Sequence, residues 1–180
     1  MLKNASYLFP PIVAGLLALL GSGPAGAQMD SPHSGPVMNY HRVSDRLVTG
    51  GHLLDGGSAA LKEQGVQVVI DLRDDSPSGE QERFAEQGIR WINIPVVWRD
   101  PKQADFDRFV EVMREHQDAH VLVQCAANYR ASAMTYLYRV VVEKVPEDEA
   151  AADLHAVWDP GENDTWRAYV SSIRATGHRK

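Results

Sequence analysis

VLVQCAANYRAS, residues 121–132, decides how this chain is read. An apolar run leads into Cys125, the only cysteine present, and Arg130 follows five positions later. The run has the character of a strand buried on both faces. Small residues follow, and residues 130–143 then read as a largely buried helix. A strand, a short loop and a helix N-terminus make an anion site, because backbone N–H groups point inward and the helix dipole adds partial positive charge. The same field favours the thiolate of a cysteine at the start of the loop. Arginine can grip two oxygens of a bound oxyanion in a fork. Cysteine attack followed by hydrolysis is covalent catalysis in two steps. The competing reading makes Cys125 a small, inert core residue.

Outward from this stretch, strands alternate with helices. Residues 46–49, 66–72, 89–97 and 120–124 read as strands, the second and third of them buried. Helices are expected over 58–64, with Ser58 as N-cap, and over 79–87, 105–117, 130–143, 147–158 and 162–173. In the 105–117 segment Phe106, Phe109, Val110 and Met113 recur at helical spacing. The alternation predicts one α/β domain with a central, mostly parallel sheet flanked by helices on both faces. Ligands in such folds bind at the carboxyl ends of strands, where Cys125 sits.

The 180 residues suffice for one domain, expected over 40–175. Residues 1–27 read as a secretory signal peptide: Lys3 is a positive start, the run from Ile12 to Leu20 is apolar, and Ala25-Gly26-Ala27 is a small-residue cleavage site. The rival, a transmembrane anchor, needs a longer run than this one, which Pro10 and Pro11 interrupt. Residues 28–39 read as a flexible lead-in. The mature protein is thus expected in the periplasm or outside the cell, free of the membrane. A lone cysteine there has no internal disulfide partner. The net charge is −6 with no lysine/arginine-rich stripe, which argues against nucleic acid and anionic membrane surfaces as partners. A local positive site for a small anion remains compatible with this balance.

Cys-x5-Arg-Ser/Thr after a strand is the signature of cysteine-dependent tyrosine and dual-specificity phosphatases, and VLVQCAANYRASA resembles it. HRVSDRLVTGGHL (41–53), LKEQGVQVVIDLR (61–73) and GIRWINIPV (88–96) are similar to successive strands and turns of the small bacterial tyrosine-phosphatase-like proteins. The resemblance covers residues 40–145. It implies a dual-specificity-phosphatase-like fold and phosphomonoester hydrolysis through a phosphocysteine, phosphotyrosine being one such ester. It implies no metal or organic cofactor. Cys125 is then the nucleophile and Ala126, Ala127, Asn128 and Tyr129 line the oxyanion cradle. Arg130 holds the phosphoryl group and Ser132 supports the leaving thiolate. Tyr129 also stands where it would line the pocket mouth.

Two positions depart from that pattern. Gln124 stands where the family has histidine, and Arg130 comes one residue early, with Ala131 in the usual arginine slot. Asn128 falls on the usual glycine, and asparagine tolerates the left-handed conformation well. The tighter Cys-x4-Arg loop resembles that of rhodanese-type sulfurtransferases, which carry sulfur as a cysteine persulfide. VIDLRDD (69–75) and INIP (92–95) are also similar to their sheet motifs. A third reading is a non-catalytic oxyanion-binding module.

Hydrolysis requires a general acid for the leaving oxygen. The resemblance places it in VVWRDPKQADFD (96–107), with Asp100 the first candidate and Asp105 the second, the latter also suited to capping the next helix. Arg73, at the end of its strand, points to the rim that carries Cys125 and reads as a member of a structural ion pair ahead of a substrate contact, and Asp71 is read in the same way. His116 and His120 are four apart but lack a third ligand, so no metal site is expected. His52 reads as surface, and Trp91, Trp98, Trp158 and Trp166 read as packing.

Overall fold

The computed structural model describes residues 35–177. The expected signal peptide over 1–27 and the lead-in as far as residue 34 lie outside them. Strands β1 (His41–Arg42), β2 (Leu47–Gly50), β3 (Val68–Asp71), β4 (Arg90–Asn93) and β5 (Val121–Gln124) form a sheet in the order β1-β2-β5-β3-β4. All neighbours are parallel except β1 against β2. Helices α1 (Gly57–Glu63), α2 (Glu80–Glu86), α3 (Gln103–Glu115), α4 (Tyr129–Tyr138), α5 (Glu147–His155) and α6 (Asp164–Gly177) complete the single α/β domain.

β5 is central because it is apolar on both faces. Val121 pairs in register with Leu47 and Val68, and Gln124 with Gly50 and Asp71. Alternate side chains enter two cores. Val121, Val123 and Cys125 join Val68, Ile70, Phe106, Phe109, Met134 and Trp166 on one face. Leu122 joins Val48, Val69, Leu61 and Phe84 on the other. Gln124 continues the second set, so its side chain leaves the sheet on the α1–α2 side.

Several boundaries differ from the sequence expectation. Residues 89–97 are not a second buried strand: only Arg90–Asn93 pairs, at the sheet edge, with Arg90 and Asn93 exposed. Pro95 has no N–H to extend the ladder. The buried helix over 130–143 stops as an α-helix at Tyr138, and Arg139–Glu143 winds as a π-helix ending at left-handed Lys144. Val140, Val141 and Val142 are β-branched and crowd the preceding turn. α1 starts at Gly57, with Gly56 rather than Ser58 as N-cap. The segment over 162–173 is a 3₁₀ turn at Pro160–Glu162 followed by α6, whose Trp166 amide donates to Asn163 Oδ1 at 3.1 Å. β1 is too short to show a period.

The end of the lead-in is part of the domain. Val37 is fully buried and bridges Leu53. The Met38 amide donates to the His52 carbonyl, and the Gly51 amide to the Met38 carbonyl. Residues 35–39 therefore bring Asn39 beside the loop that follows β5.

Candidate active site

Cys125 directly follows β5, its amide donating to the Gly50 carbonyl at 3.0 Å, and the residue is 1% exposed. Three positions on, Asn128 adopts φ 69° and ψ −1° and caps α4. Asparagine accepts this left-handed turn at lower cost than other side-chain-bearing residues. Its side chain then fixes the turn: Nδ2 donates to the Asn39 carbonyl at 2.7 Å and to Thr49 Oγ1 at 3.0 Å. Asn39 replies, donating from Nδ2 to the Ala127 carbonyl at 3.1 Å.

The other wall of the loop is the end of β2. The His52 amide donates to the Ala126 carbonyl at 3.0 Å, and His52 Nδ1 lies 3.2 Å from that oxygen. His52 is exposed, as expected of a surface residue, yet it touches the loop. Gly51 is required by close approach: a Cβ there would stand 2.7 Å from the Ala126 carbonyl oxygen. With the loop held this way, α4 begins at Tyr129. The first-turn amides, those of Tyr129 and Arg130 included, have no intrahelical acceptor.

Arg130 is in that first turn, with its side chain 7% exposed. Nη1 donates to the Val96 carbonyl and to Asp74 Oδ1, each at 2.7 Å. Val96 follows β4 and Asp74 follows β3, so the guanidinium reaches over the carboxyl ends of the sheet. The hydrogen bond from Arg130 holds the Asp74 carboxyl below its ordinary pKa. Ala131, in the longer loop's arginine slot, is fully buried. The chain thus brings Cys125, Asn128 and Arg130 onto one strand-loop-helix turn, with the arginine entering from the earlier helical position.

Ser132 is held at the start of α4. Its hydroxyl donates to the Asn128 carbonyl at 2.7 Å and lies 3.2 Å from the Tyr129 carbonyl. These bonds secure the helix start on the turn that carries Cys125.

Gln124 leads to a cluster that sequence reasoning did not assemble. Its Nε2 donates to Glu80 Oε2 at 2.8 Å. Arg73 also pairs with Glu80, and it donates from Nε to Asp71 Oδ1 at 2.9 Å. All four residues are buried. Desolvation lowers the Arg73 pKa, but the hydrogen bonds and charges of Asp71 and Glu80 outweigh it and hold the guanidinium above its ordinary range. Arg73 takes the structural ion-pair role expected of it, and the structure supplies its partners, Asp71 and Glu80. Glu80 and Asp74 gave no local signal beyond being acidic residues near turns.

Asp100 and Asp105 separate by environment. The Asp100 carboxylate is 66% exposed and pairs with Lys102. Asp105 accepts from the Lys102 amide at 2.8 Å and so closes the start of α3. Beside the loop, Tyr129 stacks on Trp158, with centroids 4.9 Å apart, while Trp158 Nε1 donates to the Tyr129 carbonyl at 3.0 Å. Trp98 and Trp166 continue this cluster, and the Tyr129 ring remains partly exposed at the rim. His116 follows α3 and His120 precedes β5, so the two do not share a helix. Among the described residues no group of three or more His, Cys, Asp or Glu gathers to hold a metal ion.

A mostly parallel sheet with a cysteine loop and arginine between its central strand and a helix defines the phosphatase-like fold of the tyrosine and dual-specificity class. The chain belongs to the family described as DSP-PTPase phosphatase fused to NAD+ Kinase, which it matches over residues 31–169. It is similar to the structure of a phosphatase-like protein (DUF442) from Shewanella putrefaciens CN-32, with 30% identity and a TM-score of 0.72. That likeness covers 82% of this chain and 97% of the other. TpbA of P. aeruginosa, solved in complex with phosphotyrosine, shares 18% identity and a TM-score of 0.64 over 89% of this chain and 100% of its own. PTPMT1 shares 18% identity and a TM-score of 0.56 over 78% and 99%. The last two likenesses concern the fold alone. No curated protein sequence matches the chain.

Proposed function

We propose that the protein hydrolyses a phosphomonoester through a phosphocysteine on Cys125. The observation that carries this reading is the Asn128 turn, which seats Cys125 at the carboxyl end of β5 directly before the amides and dipole of α4. The thiolate attacks phosphorus and the ester P–O bond breaks. Asp100 gives the leaving oxygen its proton, since Asp105 is occupied at the start of α3. Water then attacks phosphorus and gives its proton to the Asp100 carboxylate, the P–S bond breaks, and inorganic phosphate and the Cys125 thiolate are released. The amides of residues 126–130 and the Arg130 guanidinium hold the phosphoryl oxygens throughout. The partly exposed Tyr129 ring suits an aromatic ester such as phosphotyrosine, the ligand of the TpbA complex. The membrane-free, exported state expected from residues 1–27 is part of the same proposal; the mass of the protein recovered from the host's envelope fraction tests cleavage after Ala27.

A specific feature favours a second reading, sulfur transfer: only four residues separate Cys125 from Arg130. The deciding experiment assays phosphomonoester hydrolysis and thiosulfate:cyanide sulfur transfer in parallel, each beside Cys125→Ser. Hydrolysis lost in the variant supports the phosphatase reading. Sulfur transfer without hydrolysis would replace it, and neither activity with retained phosphate binding would leave an oxyanion-binding module.

A further inference from the structure

Arg130 is displaced by one residue from the position its role requires in a longer loop, and one helical residue turns a side chain by about 100°. Something must direct its guanidinium back over the strand ends. Every hydrogen bond the guanidinium makes to the described residues uses one nitrogen, Nη1, which donates to both Asp74 Oδ1 and the Val96 carbonyl at 2.7 Å. Nε and Nη2 have no such partner, and these two form one edge of the fork that grips two oxygens at once.

We infer that Asp74 is the positioning residue that makes the Cys-x4-Arg spacing workable: with the Val96 carbonyl it anchors Nη1 and leaves the Nε–Nη2 edge for the oxyanion. The Val96 carbonyl alone is a neutral acceptor. A carboxylate gives a stronger, charge-assisted bond, and two acceptors on one nitrogen fix the guanidinium plane. Asp74 is 37% exposed on its carboxylate and lies in an irregular loop, so it has no packing role that its charge would merely accompany. Its depressed pKa keeps it ionised, and thus an acceptor, at neutral pH. Asp74 touches no substrate in this arrangement and acts through Arg130.

The inference rests on the loop being an oxyanion site, and a double-mutant cycle separates the two. Equilibrium binding of inorganic phosphate is measured for the wild type, Asp74→Asn, Arg130→Lys and the double variant, with thermal unfolding alongside. Asp74→Asn is expected to weaken phosphate binding about tenfold while leaving the unfolding temperature nearly unchanged, and to have no further effect once Arg130 is lysine. Asp74→Ser is a second variant should the asparagine perturb the loop, and the same loss is expected. In the hydrolysis assay KM should rise more than kcat falls. Unchanged or tighter phosphate binding in Asp74→Asn overturns the inference, as does an equal loss in the Arg130→Lys background. A wild type that binds no phosphate sinks the oxyanion reading itself.

Discussion

Gln124 and Glu80, 44 positions apart, meet by a 2.8 Å hydrogen bond in the buried layer between β5 and α2, one residue before Cys125. Glu80 also holds Arg73, so one carboxylate serves two buried donors. A buried ion left without its partner costs more than the pair contributes. Glu80→Ala is therefore expected to destabilise the fold by about 3–5 kcal/mol in urea unfolding. Glu80→Gln, which keeps an acceptor oxygen, should cost less. An equal loss for both would mean that packing, not pairing, sets the effect.

Cys125 is expected to carry the chemistry without carrying the fold. Cys125→Ser should reduce phosphomonoester hydrolysis by about 10³-fold or more, because a serine hydroxyl is a far weaker nucleophile than a thiolate. Phosphate binding, which uses the amides and Arg130, should persist. Hydrolysis surviving in this variant would point to chemistry elsewhere.

Asn128 combines a left-handed backbone with two hydrogen bonds from its side chain. Asn128→Ala meets both costs and should lose about 2–3 kcal/mol. Asn128→Gly meets only the second and should be milder. Chemical denaturation of both variants checks the order, and the reverse order would show that the turn is not the strained element.

The two loop aspartates should dissociate in assay. Asp100→Asn is expected to slow hydrolysis by about 10²-fold with little change in stability, as for loss of a general acid on an exposed side chain. Asp105→Asn should do the opposite, lowering stability by about 1 kcal/mol through its cap and sparing the rate. Unimpaired hydrolysis in Asp100→Asn would move the acid to another residue or remove the need for one.

Burial, then the charge of Arg42, lowers the His120 pKa below its ordinary value of 6.5. The unfolded state therefore binds a proton before the folded state does. The contribution of neutral His120 is complete above about pH 6.5 and is lost as pH falls through the lower folded value. His120→Gln should flatten the decline of stability with pH below that point, read from unfolding curves collected across the range. An unchanged slope would place the acid sensitivity in other groups.

How much of this was legible before folding follows from the range over which each signal acts. The alternation of strands and helices, the central place of residues 121–124 and the strand-loop-helix around Cys125 are written in local hydrophobic pattern and turn chemistry, which neighbouring residues carry by themselves. The same local cues overstated residues 89–97, because an apolar run cannot say whether a partner strand lies on one side or two, and Pro95 has no N–H to carry the ladder onward.

What only the tertiary structure decided are the pairings across the chain. Asn39 meets Asn128 across 89 positions, Arg130 meets Asp74 across 56, and Gln124 meets Glu80 across 44. No period or propensity encodes contacts at such distances; they appear once the parallel sheet brings the strand ends to one rim. The cysteine, the left-handed asparagine and the early arginine were visible in VLVQCAANYRAS. Where that arginine points was settled by Asp74 and Val96, residues from two other strand ends, because a long side chain takes its direction from the acceptors that surround it.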